Sequence, residues 1–78
     1  MSEHIAELRA IVAGTAAPPE VMATYLEKVR DRAYAVTDDD IEALTAAGLT
    51  EDEIFEQTVA TAIGQGLRRF DAAMDAIG

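Results

Sequence analysis

The chain has 78 residues and a formal net charge of −9, and half of its residues are apolar. This length allows one domain, which buries only about 60–65% of the unfolded surface, so association is a common route to further stability. Cysteine is absent and there is one histidine, so we expect no disulfide, no metal site and no cofactor. The negative charge also disfavours nucleic acid and anionic membranes as partners.

The acidic residues are unevenly distributed. Between Ala33 and Leu67 there are eight acidic residues and no Lys or Arg. This pattern predicts a solvated face, and the alternative is a docking surface for a basic protein at residues 38–56. No apolar run approaches the length of a membrane-spanning helix, and the N-terminal residues lack the pattern of a signal peptide. We therefore expect a cytoplasmic protein with no membrane contact.

The first half of the chain predicts two helices. Ser2 is a candidate N-cap, and apolar residues at spacings of three and four predict a helix over 3–13 that ends at Gly14. Pro18-Pro19 predicts the opening of a second helix, because proline is tolerated in a first helical turn. The apolar face of this second helix comprises Met22, Tyr25, Leu26, Val29 and Ala33. Its other face is charged and predicts a solvated surface.

A short third helix has clear signals at both ends. Thr37 and Asp40 have the spacing of a capping box at its start. Gly48 suits the left-handed position that ends a helix, with Leu49 as the apolar contact that follows. Thr50 begins a second capping box that is completed by Glu53, so the connection is only two or three residues long. Such a connection fixes the angle between the third and fourth helices.

The fourth helix is predicted from Glu51 to about Ala76 and carries more apolar surface than three short helices would cover. This excess predicts a second surface that is buried against another subunit. Its glycines predict close approach of another helix, with a kink or a ligand contact as alternatives. The predicted interface comprises Phe55, Val59, Ile63, Gly64, Gly66, Leu67, Phe70 and Met74.

Three segments together carry a family resemblance: A-A-G-L-T at the end of the third helix, E-D-E-I-F-E, and A-I-G-Q-G-L-R-R. On these segments the chain resembles the carboxymuconolactone decarboxylase-like superfamily, which includes alkylhydroperoxidase D-like proteins. The resemblance implies an all-α fold whose helices assemble into homo-oligomers. We therefore predict a single four-helix domain, with an N-terminal helix and linker over 1–17 and a family-like core over 18–78.

The peroxidase members of that superfamily carry two cysteines and a histidine before the A-G-L-[ST] corner. The matching positions in this chain are Ala33, Val36 and Asp40, none of which supplies a thiolate or an imidazole. The resemblance therefore implies a member without thiol peroxidase activity.

Two classes of function follow. The first is a non-catalytic helical module that forms a homo-oligomer or serves as an accessory subunit of a larger enzyme. The alternative is a cysteine-independent acid/base enzyme that acts on a small carboxylate. Its candidate residues are Glu53 or Glu56 as base, Tyr34 as acid, and Arg68 or Arg69 as the carboxylate clamp. Each of them also has a structural interpretation as a capping, solvated or ion-pairing residue.

Overall fold

Four α-helices and two 3₁₀ turns make up residues 3–78, the part of the chain described by the computed structural model. The elements are α1 (Glu3–Gly14), a 3₁₀ turn (Glu20–Met22), α2 (Ala23–Asp31), a second 3₁₀ turn (Ala33–Ala35), α3 (Asp38–Ala46) and α4 (Glu51–Ile77). The predicted all-α, four-helix domain is confirmed. Ser2, the predicted cap of α1, lies outside the described residues.

The second helix is shorter than predicted. Pro19 keeps an extended backbone, a 3₁₀ turn follows it, and regular helix begins only at Ala23. At the other end, Arg32 leaves the helical region of backbone space and stops α2 after Asp31. The prediction that Ala33 belongs to the buried face of this helix is wrong, because Ala33 lies beyond the stop and is exposed.

A small core lies where α2 and α3 meet the start of α4. Its buried members are Met22, Tyr25, Leu26, Leu44 and Ile54. The Tyr25 hydroxyl lies 2.7 Å from the Thr58 hydroxyl, which itself donates to the Ile54 carbonyl. Tyr25 is therefore the donor of the first bond, and this pair joins α2 to α4 through a satisfied polar contact.

The corner between α3 and α4 forms as the sequence predicts. Gly48 has a φ of +101°, and the N–H of Leu49 donates to the Leu44 carbonyl at 3.2 Å, which closes the helix end. Immediately afterwards, the N–H of Glu53 donates to the Thr50 hydroxyl and the Glu53 carboxylate accepts from the Thr50 N–H, both at 3.1 Å. The direction of α4 is thus set within three residues.

Helix α1 lies antiparallel to α4, and contacts along its length define the register. The Arg9 guanidinium forms a bidentate ion pair with the Asp71 carboxylate. Val12 lies beside Gly64 further along, and the side-chain amide of Gln57 donates to the carbonyl of Ala16 at 2.8 Å just beyond the helix. Helix α1 therefore covers one side of the middle of α4.

Replacing Gly48 by alanine should lower the free energy of unfolding by about 1 kcal/mol, because an L-residue is strained at this positive φ. The same replacement at Gly66 should raise it by up to about 1 kcal/mol, because this residue is helical and an added Cβ meets no atom within 4 Å. Urea denaturation of dilute protein measures both. Shifts of the same sign would contradict the assignment.

Candidate interaction surface

Helix α4 has three sides, and its own chain covers two of them. At about 100° of rotation per residue, Gln57 and Gly64 point towards α1. Thr58 and Ala62 point towards α2 and the turn that follows it. The third side lies roughly 120° from each of these directions. Helix α3 reaches the start of this side, where Ile41 and Phe55 line one cavity. Further along, its apolar residues from Val59 to Met74 are half-buried or exposed.

The third side of α4 is the outer face. It comprises Phe55, Val59, Ile63, Gly66, Phe70 and Met74. Phe55 is 71% exposed and Met74 is 49% exposed, whereas Val59, Ile63 and Phe70 are half-buried by their neighbours. An apolar row that remains open to solvent along a helix marks a surface able to bind another protein.

Two of the predicted interface residues face α1. Leu67 is only 8% exposed and lines one cavity with Val12 and Ala13 of α1, so it lies on the side of α4 that α1 covers. Gly64 also faces α1, where an added Cβ would lie 4.0 Å from a Val12 methyl group. The helix runs unbroken through both glycines, so the alternative of a kink is not observed. The apolar row therefore divides between α1 and the outer face.

Gly66 forms part of the floor of a recess beside the outer face. The recess has a volume of about 360 Å³ and lies between α4 and the 3₁₀ turn after α2. Ala62, Tyr34 and Arg69 also line it. An alanine Cβ at Gly66 would meet no atom within 4 Å, so the described part of the chain leaves this space unfilled.

The candidate catalytic residues do not come together. Tyr34 lies at the recess and is 88% exposed. Arg68 lines a different cavity, a groove of about 280 Å³ between α1 and α4, and donates to the Gln65 side chain at 3.2 Å. Glu56 is exposed and lies roughly 120° round α4 from Arg68. Glu53 is a capping residue, as the sequence predicts.

Sequence reasoning missed one ion pair that fixes the fold behind this surface. The Lys28 ammonium donates to both carboxylate oxygens of Asp40, at 2.9 and 3.2 Å, and joins α2 to α3. This bond, followed by the bond from the Thr37 N–H, holds the pKa of the Asp40 carboxyl below its ordinary value. The capping role of Asp40 is readable from its spacing to Thr37, but its contact with Lys28 spans a turn that the sequence does not specify.

In the part of the chain that the structure describes, no cluster of three His, Cys, Asp or Glu side chains is placed to hold a metal ion. None of the described helices combines the length and apolar character that crossing a membrane requires. No family model, curated protein or solved structure matches the chain. The resemblance to the carboxymuconolactone decarboxylase-like superfamily therefore stays a prediction.

The Lys28–Asp40 pair should make stability depend on pH at the acidic end. Because the folded pKa of Asp40 is lowered, its stabilisation is present above the pKa of the unfolded chain and is lost as the pH falls through the folded pKa. Lys28→Met should therefore reduce the loss of unfolding free energy between about pH 5 and pH 2. Urea titrations across this range measure it, with the exposed Arg32→Met as control. Equal slopes in both variants would refute the role of Lys28.

Proposed function

We propose that the chain is a non-catalytic association module of the cytoplasm, which works by burying the outer face of α4 against another protein surface. The observation that supports this most directly is the exposed ring of Phe55 on a helix whose other two sides are already covered. The partner is either a second copy of the chain or a larger enzyme to which this chain is an accessory subunit. The resemblance to the carboxymuconolactone decarboxylase-like superfamily implies assembly of the same kind.

The energetics favour burial of this face. Full burial of one large apolar side chain contributes about 1.5–3 kcal/mol of favourable free energy. Phe55 and Met74 stand at opposite ends of the outer face, and half-buried residues lie between them. A partner surface that contacts the whole row would therefore gain binding free energy along several turns of one helix. A chain of this size gains proportionally more from such burial than a large one.

The distribution of polar groups supports a non-catalytic role. Acid/base catalysis needs a base, an acid and a charge-stabilising group within reach of one substrate. Glu56, Tyr34 and Arg68 lie at three separate places on the surface. Tyr34 lines the recess, whereas Arg68 lines the groove between α1 and α4. The outer face, by contrast, is continuous.

Phe55→Ser should abolish association while it leaves the free energy of unfolding of the isolated chain within about 0.5 kcal/mol, because this ring contributes little to the internal core. Sedimentation velocity on the natural complex measures association, and urea denaturation measures stability. Val21→Ser is the matched control, since Val21 is 51% exposed but lies outside α4. Loss of association in both variants would contradict a specific role for the outer face.

Salt separates this proposal from the acidic-adaptor alternative. Burial of the outer face is largely apolar and should persist at high ionic strength. Docking of a basic protein on residues 38–56 would weaken steeply as salt is added. A complex that dissociates in salt but withstands Phe55→Ser would favour the adaptor function over the one proposed.

A second candidate function is supported by the groove between α1 and α4. Two arginines, Arg30 and Arg68, line it, and no acidic residue does, although the chain carries a charge of −9. The side-chain amide of Gln57 and the hydroxyl of Thr61 also belong to its lining. Such a groove suits a small carboxylate. No glutamate or aspartate is present in it to act as a base, so the arrangement supports binding rather than turnover.

Titration with malonate, followed by amide chemical shifts, tests the groove. If it binds carboxylates, shifts should concentrate near Thr61 and Gly64, and Arg68→Gln should weaken binding by about tenfold. Arg69→Gln serves as the control, because Arg69 is the next residue on α4 but lines the recess instead. Equal effects of the two replacements would indicate general attraction of an anion and remove this candidate.

A further inference from the structure

The outer face carries both an exposed ring and an unfilled recess. Phe55 is 71% exposed, and Gly66 lies at the floor of the recess of about 360 Å³. A glycine inside a helix costs about 1 kcal/mol relative to alanine, yet nothing in the described chain needs the space that this glycine leaves. The Phe55 ring could therefore fill the Gly66 recess of another copy. It cannot fill its own, because both residues belong to one continuous helix and lie eleven residues apart.

Their spacing along α4 suits a pair of antiparallel helices. Phe55 and Gly66 are eleven residues apart, which is about three helical turns, so both lie on the same flank of the outer face. In an antiparallel pair related by a two-fold axis, residues on the same flank of the two helices meet. An axis at the level of 60–61 places Phe55 of each copy over Gly66 of the other.

The charges at the edge of this face indicate the same register. Glu51 and Arg69 are eighteen residues apart, or about five full turns, so they too lie on one flank of α4. Both are exposed, and no hydrogen bond or ion pair joins either side chain to another described residue. Their midpoint is residue 60, which coincides with the axis that the ring and the recess require. A parallel pair would instead bring the acidic starts of both α4 helices together.

We propose that the occupant of the outer face is a second copy of this chain, packed with its α4 antiparallel. In this homodimer Phe55 of each copy fills the Gly66 recess of the other, and Glu51 pairs with Arg69 twice. The interface is isologous, so every contact is made in duplicate. This inference rests on the proposed function, because it names the partner of the same surface.

Charge reversal with mixing tests the register. Glu51→Arg and Arg69→Glu should each dimerise about tenfold more weakly than the parent chain at low ionic strength, because each homodimer then holds two like-charged contacts. An equimolar mixture should recover the parent affinity as a heterodimer, in which both contacts are again of opposite sign. Native mass spectrometry resolves the three species. A mixture that is no tighter than either variant alone would overturn the antiparallel register.

Filling the recess provides a test that does not depend on charge. Gly66→Leu should abolish the dimer, while circular dichroism shows retained helix and the monomer unfolds at the same or a higher urea concentration. Ala72→Leu is the control, because Ala72 is exposed on α4 and lies about 150° from the outer face. A dimer that survives Gly66→Leu, or one that Ala72→Leu disrupts equally, would show that the partner's Phe55 does not bind in the recess.

The same measurements separate failure of this inference from failure of the proposed function. If the parent chain stays monomeric at all concentrations, yet binds a different protein in a manner that Phe55→Ser abolishes, the second copy is wrong as occupant and the association function stands. If neither a dimer nor a Phe55-dependent complex forms, both proposals fail. A dimer that responds to charge reversal, mixing and Gly66→Leu as described supports both.

Discussion

The arrangement of the molecule depends on the corner at Gly48. A residue with positive φ ends α3, and the reciprocal bonds of Thr50 and Glu53 begin α4 almost at once, so the chain has little freedom in how it turns. Ile54 then enters the core one turn into α4, against Leu44. Because α4 is unbroken for 27 residues, an angle that is fixed at its first turn determines where its far end lies. Every contact of α1 and α2 with α4 follows from that direction.

Three short helices cannot cover the whole surface of one helix of 27 residues. Helices α2 and α3 cover the start of α4. Helix α1 lies antiparallel to α4 and covers its middle. The Arg9–Asp71 pair joins these two helices, and the Gln57 amide joins α4 to the linker after α1. Beyond its first turn, one side of α4 keeps an apolar row that is half-buried or exposed in the described chain. The apolar composition of that side is the basis of the association function that we propose for it. The net charge of −9 opposes indiscriminate association through this surface, because like-charged chains repel one another.

The sequence predicts the local features well and the distant contacts poorly. Gly48 and the Thr50 capping box are recognised because their signals lie within a few residues of the structure they form. By contrast, Leu67 belongs to the same apolar row as the outer face, and only the position of α1 shows that it is buried. The Gln57 bond to a linker carbonyl and the Lys28 bond to α3 span loops of undetermined path. No periodicity of the sequence encodes those contacts.

Because α1 and α2 cover the start and middle of α4, we expect local unfolding to become easier from the middle of α4 towards its C-terminal end. Amides near Gln57 lie between α1 and α2, so their hydrogen bonds break only when much of the domain opens. From Asp71 onwards every residue is exposed. Asp71 is still tied to Arg9, but in the described chain no side-chain hydrogen bond or ion pair joins residues 72–77 to another helix, and three of them are alanines, at 72, 73 and 76. We therefore expect hydrogen exchange at residues 72–77 to be uncoupled from global unfolding. The amide of Met74 becomes a sensitive reporter of anything that covers the end of the outer face, since its exchange slows on contact while the core remains unchanged.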